Sequence, residues 1–208
     1  MPARPLPILP ARDGLSADCS RCAGLCCVAP AFAAWADVAI DKPTGTPCRH
    51  LHDDFRGGIH DRPRPEAFPG CTVFDCFGAA QRINQQTFGG RTWRESPEVA
   101  AGQFAVMPVM RPLHEILWYL AEAATLPAAP ALHLAVERAR AATERLAGAD
   151  VDELRALDVG ADVHGAALSG CLFLTPPQLG AARGDAATAL PPGLQRPGHW
   201  SQTCGPGR

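Results

Sequence analysis

Ser96-Pro97-Glu98 opens, and Leu113-His114-Glu115-Ile116-Leu117-Trp118-Tyr119-Leu120 continues, the stretch whose reading decides the architecture of this chain. Ser96 suits a helix N-cap. Pro97 suits the first helical position, where its missing N–H leaves nothing unpaired, and Glu98 sets a negative charge at the positive end of the helix dipole. Leu113, Ile116, Leu117 and Leu120 recur at i, i+3, i+4 and i+7, an apolar stripe along one helix face. Pro127 and Pro130 then break the chain. Leu132, Val136, Ala139, Thr143 and Leu146 carry a second helix towards Gly148, with Glu137, Arg138, Arg140, Glu144 and Arg145 on its wet side. The pattern predicts an antiparallel helix pair, followed by a helix over 151–157 capped by Asp150.

Outward from this helical middle, 96–158, composition divides the 208 residues into two further parts, 1–95 and 159–208. The first part holds seven of the nine cysteines, many Gly and Pro, and most of the aromatic residues. Val73, Phe74, Phe77, Ala80 and Ile83 predict one helix within it, over 72–87, stopped by Gly89-Gly90. The rest reads as loop. Too few apolar residues remain there for a strong core, so a bound metal is expected to supply the missing cross-links.

Apolar residues are 47% and charged residues 19% of the chain, which excludes wholesale disorder. A net charge of −2 gives no basic footprint, so no nucleic-acid or membrane-surface partner is expected and a protein partner is. Arginine supplies all but one of the 19 basic residues, Lys42 being the exception. With so much Ala, Gly and Pro this matches GC-rich coding, so the balance of Arg against Lys carries little functional weight. The most apolar stretch, 116–136, is interrupted by Glu122, Pro127, Pro130 and His133, and so does not read as a membrane span. The opening MPARPLPILPAR is too rich in proline for a signal peptide. A cytoplasmic protein is expected, and an odd cysteine count in a reducing compartment favours metal ligands over a disulfide framework.

Cys19-x2-Cys22-x3-Cys26-Cys27, then Cys48, then Cys71-x4-Cys76, is the strongest motif. Closely spaced thiolates repel one another unless a cation neutralises them, and they suit Zn²⁺, Cu(I) or an iron–sulfur cluster; spacing does not choose between zinc and iron–sulfur. Cys19, Cys22, Cys26, Cys27, Cys48, Cys71 and Cys76 are therefore the candidate metal ligands. His50, His52 and His60 are reserve ligands; the first two read as exposed loop residues and His60 as a core or supporting residue. No phosphate-binding loop, GxSxG elbow or HExxH occurs, and the radical-SAM spacing fails at Ala29, so no catalytic residue is assigned.

The spacing resembles the zinc- or iron-chelating cysteine-cluster family with its CxxCxxxCC core, over residues 13–94. The matching stretches are Cys19 to Cys27, Cys48-Arg49-His50-Leu51, Ile59-His60-Asp61-Arg62 and Gly70-Cys71-Thr72-Val73-Phe74-Asp75-Cys76-Phe77-Gly78; Gly57 stands where the family pattern has a further cysteine. Near the other end, Ala161-Asp162-Val163-His164-Gly165, Ala166-Ala167-Leu168-Ser169-Gly170 and Cys171-Leu172-Phe173-Leu174-Thr175 resemble the pentapeptide repeat, whose units build a right-handed β-helix. The tail from Leu179 to Leu194 is similar to that of actinobacterial pentapeptide repeat proteins, a group that carries the same cysteine cluster. These resemblances imply a mainly α chain with an irregular metal-stabilised N-terminal module and a vestigial pentapeptide coil, its last residues from Ser201 an appended disordered end. They imply a metal-binding protein with a structural or interaction role, or alternatively an iron–sulfur protein with electron-transfer or protein-modifying activity.

Overall fold

Among the described residues five α-helices form the frame: α1 (Leu25–Val28), α2 (Ala79–Arg82), α3 (Pro97–Ala123), α4 (Pro130–Ala147) and α5 (Val151–Ala156). The computed structural model describes residues 14–32, 34, 38–157, 162–169, 179–180 and 182–201, and the chain is thus mainly helical. It divides into two compact units, Met1–Leu157 and Asp158–Arg208. Among the described residues, no helix is long and apolar enough to cross a membrane.

In the first unit α3 is the axis, and α1, α2, α4 and α5 all pack on it. Ser96 Oγ accepts the Val99 N–H at 3.3 Å and Pro97 follows at the first position, as the sequence predicts. The buried row of α3 is Val99, Gln103, Val106, Met110, Leu113, Leu117 and Ala121, a repeat of three to four residues that keeps one face inward. Burial of each large apolar side chain stabilises the fold by about 1.5–3 kcal/mol. Pro108 and Pro112 lie inside α3, one turn apart, Pro108 exposed and Pro112 half-buried. Each lacks the N–H that would close a helical hydrogen bond to the residue four places earlier.

The predicted stripes are only partly right. Leu113 and Leu117 are buried, but Ile116 is 46% exposed. On α4 only Ala147 is buried, and Leu132 and Leu146 of the predicted stripe are 57% and 43% exposed. α5 forms as expected: Asp150 accepts the Glu153 N–H at 2.9 Å while the Glu153 carboxylate accepts the Asp150 N–H at 3.3 Å, a capping box.

The helix expected over 72–87 is shorter. A 3-10 turn (Pro69–Thr72) comes first, α2 starts only at Ala79, and a π-helical turn (Ile83–Thr87) extends it. The reason is local. The Asp75 carboxylate accepts the Phe77 N–H at 2.7 Å, an Asx turn, and Phe77 and Gly78 follow with φ of +50° and +78°. Val73 is left 75% exposed, off any helical face. Gly78 is obligatory, because a Cβ there would stand 2.0 Å from the Gly14 carbonyl oxygen.

A smaller cluster under the loops consists of Cys48, Ile59 and Phe68, with Cys27, Phe32, Val38, Ile40 and Leu51 against it. In the second unit, Leu179, Ala182 and Trp200 pack with Val163, Leu168, Leu190 and Leu194. Thr188 Oγ1 donates to the Val163 carbonyl at 2.7 Å, and the Asp185 carboxylate collects the N–H groups of Gly165, Ala187 and Thr188 at 3.0–3.1 Å. The expected pentapeptide coil is corrected here. The described residues form single-residue parallel bridges, Asp162↔Arg183 and Ala167↔Ala189, and no strand, so no β-helix face is built. The third unit, Cys171 to Thr175, and the tail after Ser201 lie outside the described residues.

Candidate functional site: a cluster of free thiols

Four separate segments carry the seven candidate thiols. Cys19 opens a 3-10 turn (Cys19–Arg21) capped by Asp18, whose carboxylate accepts the Ser20 N–H at 3.0 Å. Cys22 ends that turn. Gly24 follows with φ of +65°, and the N–H groups of Leu25 and Gly24 turn back to hydrogen-bond the Cys22 sulfur. Cys26 and Cys27 lie in α1, whose Leu25 and Val28 are fully buried. Cys48 donates its backbone N–H to the Cys27 carbonyl at 2.9 Å. Cys71 sits in the turn Pro69–Thr72, and Cys76 is buried within the Asx turn from Asp75 to Phe77 that precedes α2.

These thiols share one electrostatic neighbourhood. Cys19 feels Cys76 and Cys27; Cys26 feels Cys27, Cys22 and Cys76; Cys71 feels Cys27 and Cys48. Burial pushes the Cys22 thiol up to about 11, against the opposing pull of the Leu25 and Gly24 N–H groups. Cys26 Sγ and Cys27 Sγ lie 3.8 Å apart. Either sulfur can donate across this contact; the pairing raises the Cys26 thiol and lowers that of Cys27, and the charge of Lys42 lowers Cys27 further.

Lys42 is the residue that sequence reasoning passed over. It is 4% exposed. Its Nζ donates to the carbonyls of Val28 at 3.1 Å, Pro30 at 2.5 Å, Thr46 at 2.9 Å and Pro43 at 3.3 Å, and stands 4.6 Å from the centre of the Phe32 ring. Burial pulls its pKa down, and the charges of Cys48 and Cys27 hold it up. The signal was present in the sequence: a single lysine in a chain whose other cations are all arginine. A compact ammonium fits a cage of carbonyls that a planar guanidinium would not.

The described cysteines are all free thiols, Cys48 and Cys76 buried, Cys19 and Cys71 exposed and the other three half-buried. The structure therefore gathers the predicted residues, but it does not arrange them as ligands. Among the described residues no three His, Cys, Asp or Glu side chains stand where they could hold one ion. The expectation of a zinc, iron or iron–sulfur centre is corrected on that ground: the residues present do not fit such a group as they are placed. The histidines add nothing to it. His50 packs edge-on against Phe68 at 5.0 Å and accepts from Arg49, while His52 and His60 are exposed, His60 against the expectation of a core role. Cys171 and Cys204, which the sequence did not suggest as ligands, lie outside the described residues.

The chain is 44% identical over 161 residues to YybG of Bacillus subtilis (strain 168), an uncharacterized protein. The match covers 77% of this chain and spans 57% of that relative's length. No family model and no solved structure matches the chain. The resemblance to actinobacterial pentapeptide repeat proteins with a metal-chelating cluster is corrected accordingly: what the comparisons support is likeness to an uncharacterized relative, and the described residues are mainly helical and build no repeat coil.

Proposed function

We propose that residues 14–95 work as a thiol-organised loop module with a structural or protein-interaction role, borne on the helical part of the chain. The observation that carries this reading is the gathering of seven free thiols from four segments into one neighbourhood, with the Cys26 and Cys27 sulfurs 3.8 Å apart beside the caged Lys42. The loops have little apolar core of their own, Cys48, Ile59 and Phe68 being its buried members. Thiols and a lysine strut then do what a larger core would do elsewhere. A net charge of −2 favours a protein partner over nucleic acid. Free thiols suit a reducing compartment such as the cytoplasm.

The test replaces Cys22 and Cys26 by Ser together in the full chain. The expected result is a melting temperature lower by about 2–6 °C, with the loops between 38 and 76 opened to protease while the helical circular dichroism is retained. Unchanged melting and unchanged proteolysis would remove the thiols from any organising role. Elemental analysis of anaerobically purified protein is the second arm. Stoichiometric zinc or iron, with melting lowered by chelation, would replace this reading by one in which the thiols rearrange around an ion.

A further inference from the structure

Cys26 and Cys27 are adjacent in sequence, and their sulfurs lie 3.8 Å apart. Both are free thiols and both keep part of their surface in solvent. The Lys42 ammonium donates at 3.1 Å to the carbonyl of Val28, the residue after Cys27, which sets a cation beside the pair. Thiols next to a cation, and open to solvent, are the ones that oxidants attack. A cysteine that only fills space needs neither the sulfur contact nor the exposure.

The backbone of the pair is in use at the same time. The Cys27 N–H donates to the Gly24 carbonyl at 2.9 Å, and the Cys27 carbonyl accepts the Cys48 N–H at 2.9 Å. The one-turn helix α1 and the anchorage of the chain at Cys48 thus share residue 27. In a helix adjacent side chains diverge by about 100°. A disulfide needs its Cβ atoms about 3.5–4.5 Å apart and its Cα atoms usually at least about 4.4 Å apart, whereas adjacent Cα atoms stand about 3.8 Å apart. A bond between these two sulfurs therefore requires residues 26 and 27 to leave the helical conformation, and once formed it is strained and easily reduced.

We propose that Cys26 and Cys27 form a reversible redox site: hydrogen peroxide closes them into a disulfide, and closure unwinds α1 and releases the Cys48 N–H. One sulfur, as thiolate, attacks a peroxide oxygen; the O–O bond breaks, and the leaving hydroxide takes up that thiol's proton as water. The second sulfur attacks the resulting sulfenic acid; the S–S bond forms, the S–O bond breaks, and the hydroxide leaves with the second proton as another water. Two thiols are oxidised and one peroxide is reduced. A dithiol reverses the step by exchange and is itself oxidised to a disulfide. The peroxide has to meet one sulfur only, because the second attack is internal. The proposal concerns the oxidised chain and the organising role of the thiols the reduced one, so failure of closure leaves that role standing.

The test treats the reduced full chain with equimolar hydrogen peroxide, blocks the remaining thiols with iodoacetamide and maps the tryptic peptide over 22–49, which holds Cys22, Cys26, Cys27 and Cys48. The expected peptide carries alkyl groups on Cys22 and Cys48 and an internal link between Cys26 and Cys27 that dithiothreitol removes. Hydrogen exchange at the Cys27 and Cys48 amides is expected to quicken at least about tenfold on oxidation and to slow again on reduction. Peroxide is expected to leave these two rates unchanged in Cys26→Ser and in Cys26→Ala. Full alkylation of all four cysteines, a link through Cys22 or Cys48, a sulfinic acid in place of the link, or a link that leaves both amides as slow as before would each overturn the proposal.

Discussion

Lys42 shows how one side chain can tie down several strands of loop. Its ammonium collects carbonyls from the end of α1 and from the turn through Thr46, so residues 28–30 and 43–46 close around a charge. Lys42→Met keeps the length and removes the donors, leaving those carbonyls unpaired. We expect a loss of about 2–4 kcal/mol in urea denaturation, and no rescue by Lys42→Arg, whose flat guanidinium overfills the cage. His114 gives a pH dependence with a definite sign. Its folded pKa is held below the ordinary 6.5 chiefly by burial, against the opposing hydrogen bond to Phe77. As pH falls through that value the unfolded chain takes up a proton that the folded ring refuses, so the unfolded state binds more protons and stability declines. Its contribution is whole above about pH 6.5 and is lost below it. Melting temperature should therefore fall more between about pH 7.5 and 5.5 in the native chain than in His114→Gln.

At the scale of elements, the caps were the most legible signals. Ser96 and Asp150 start α3 and α5 where sequence places them, because a cap is a local bond between residues three apart. Stripes were less so. A periodic pattern says which residues share a face, but not how closely another element covers it, and α4 leaves all three of its leucines exposed. The expected helix over 72–87 failed at a turn, since the Asx bond at Asp75 overrides the apolar spacing around it. That turn offers a sharp test. Gly78→Ala adds a Cβ against the Gly14 carbonyl, whereas Gly89→Ala, at φ of +60°, adds one into open space. Both incur the left-handed backbone penalty of about 1 kcal/mol. Only Gly78→Ala should cost well beyond it in urea denaturation, about 2–4 kcal/mol in all.

For the molecule as a whole, sequence spacing led to the expectation that distant cysteines converge, and in the first of two compact units they influence one another's charge without forming a ligand set among the described residues. It did not foretell their arrangement. Whether three sulfurs face one point depends on backbone turns at Gly24 and Phe77, and these are settled by tertiary contacts that spacing does not encode. The pentapeptide rhythm misled because three short units in an alanine-rich segment can recur without building a coil; the residues that pack there do so around Trp200.

The enclosure of Lys42 has a chemical corollary. The single side-chain primary amine of the chain is spoken for by carbonyls, so acylating reagents and lysine-directed conjugation find no lysine handle on the folded protein. Acyl transfer to that amine must wait until the segment after α1 opens, which makes its acylation a clock for opening at one known place.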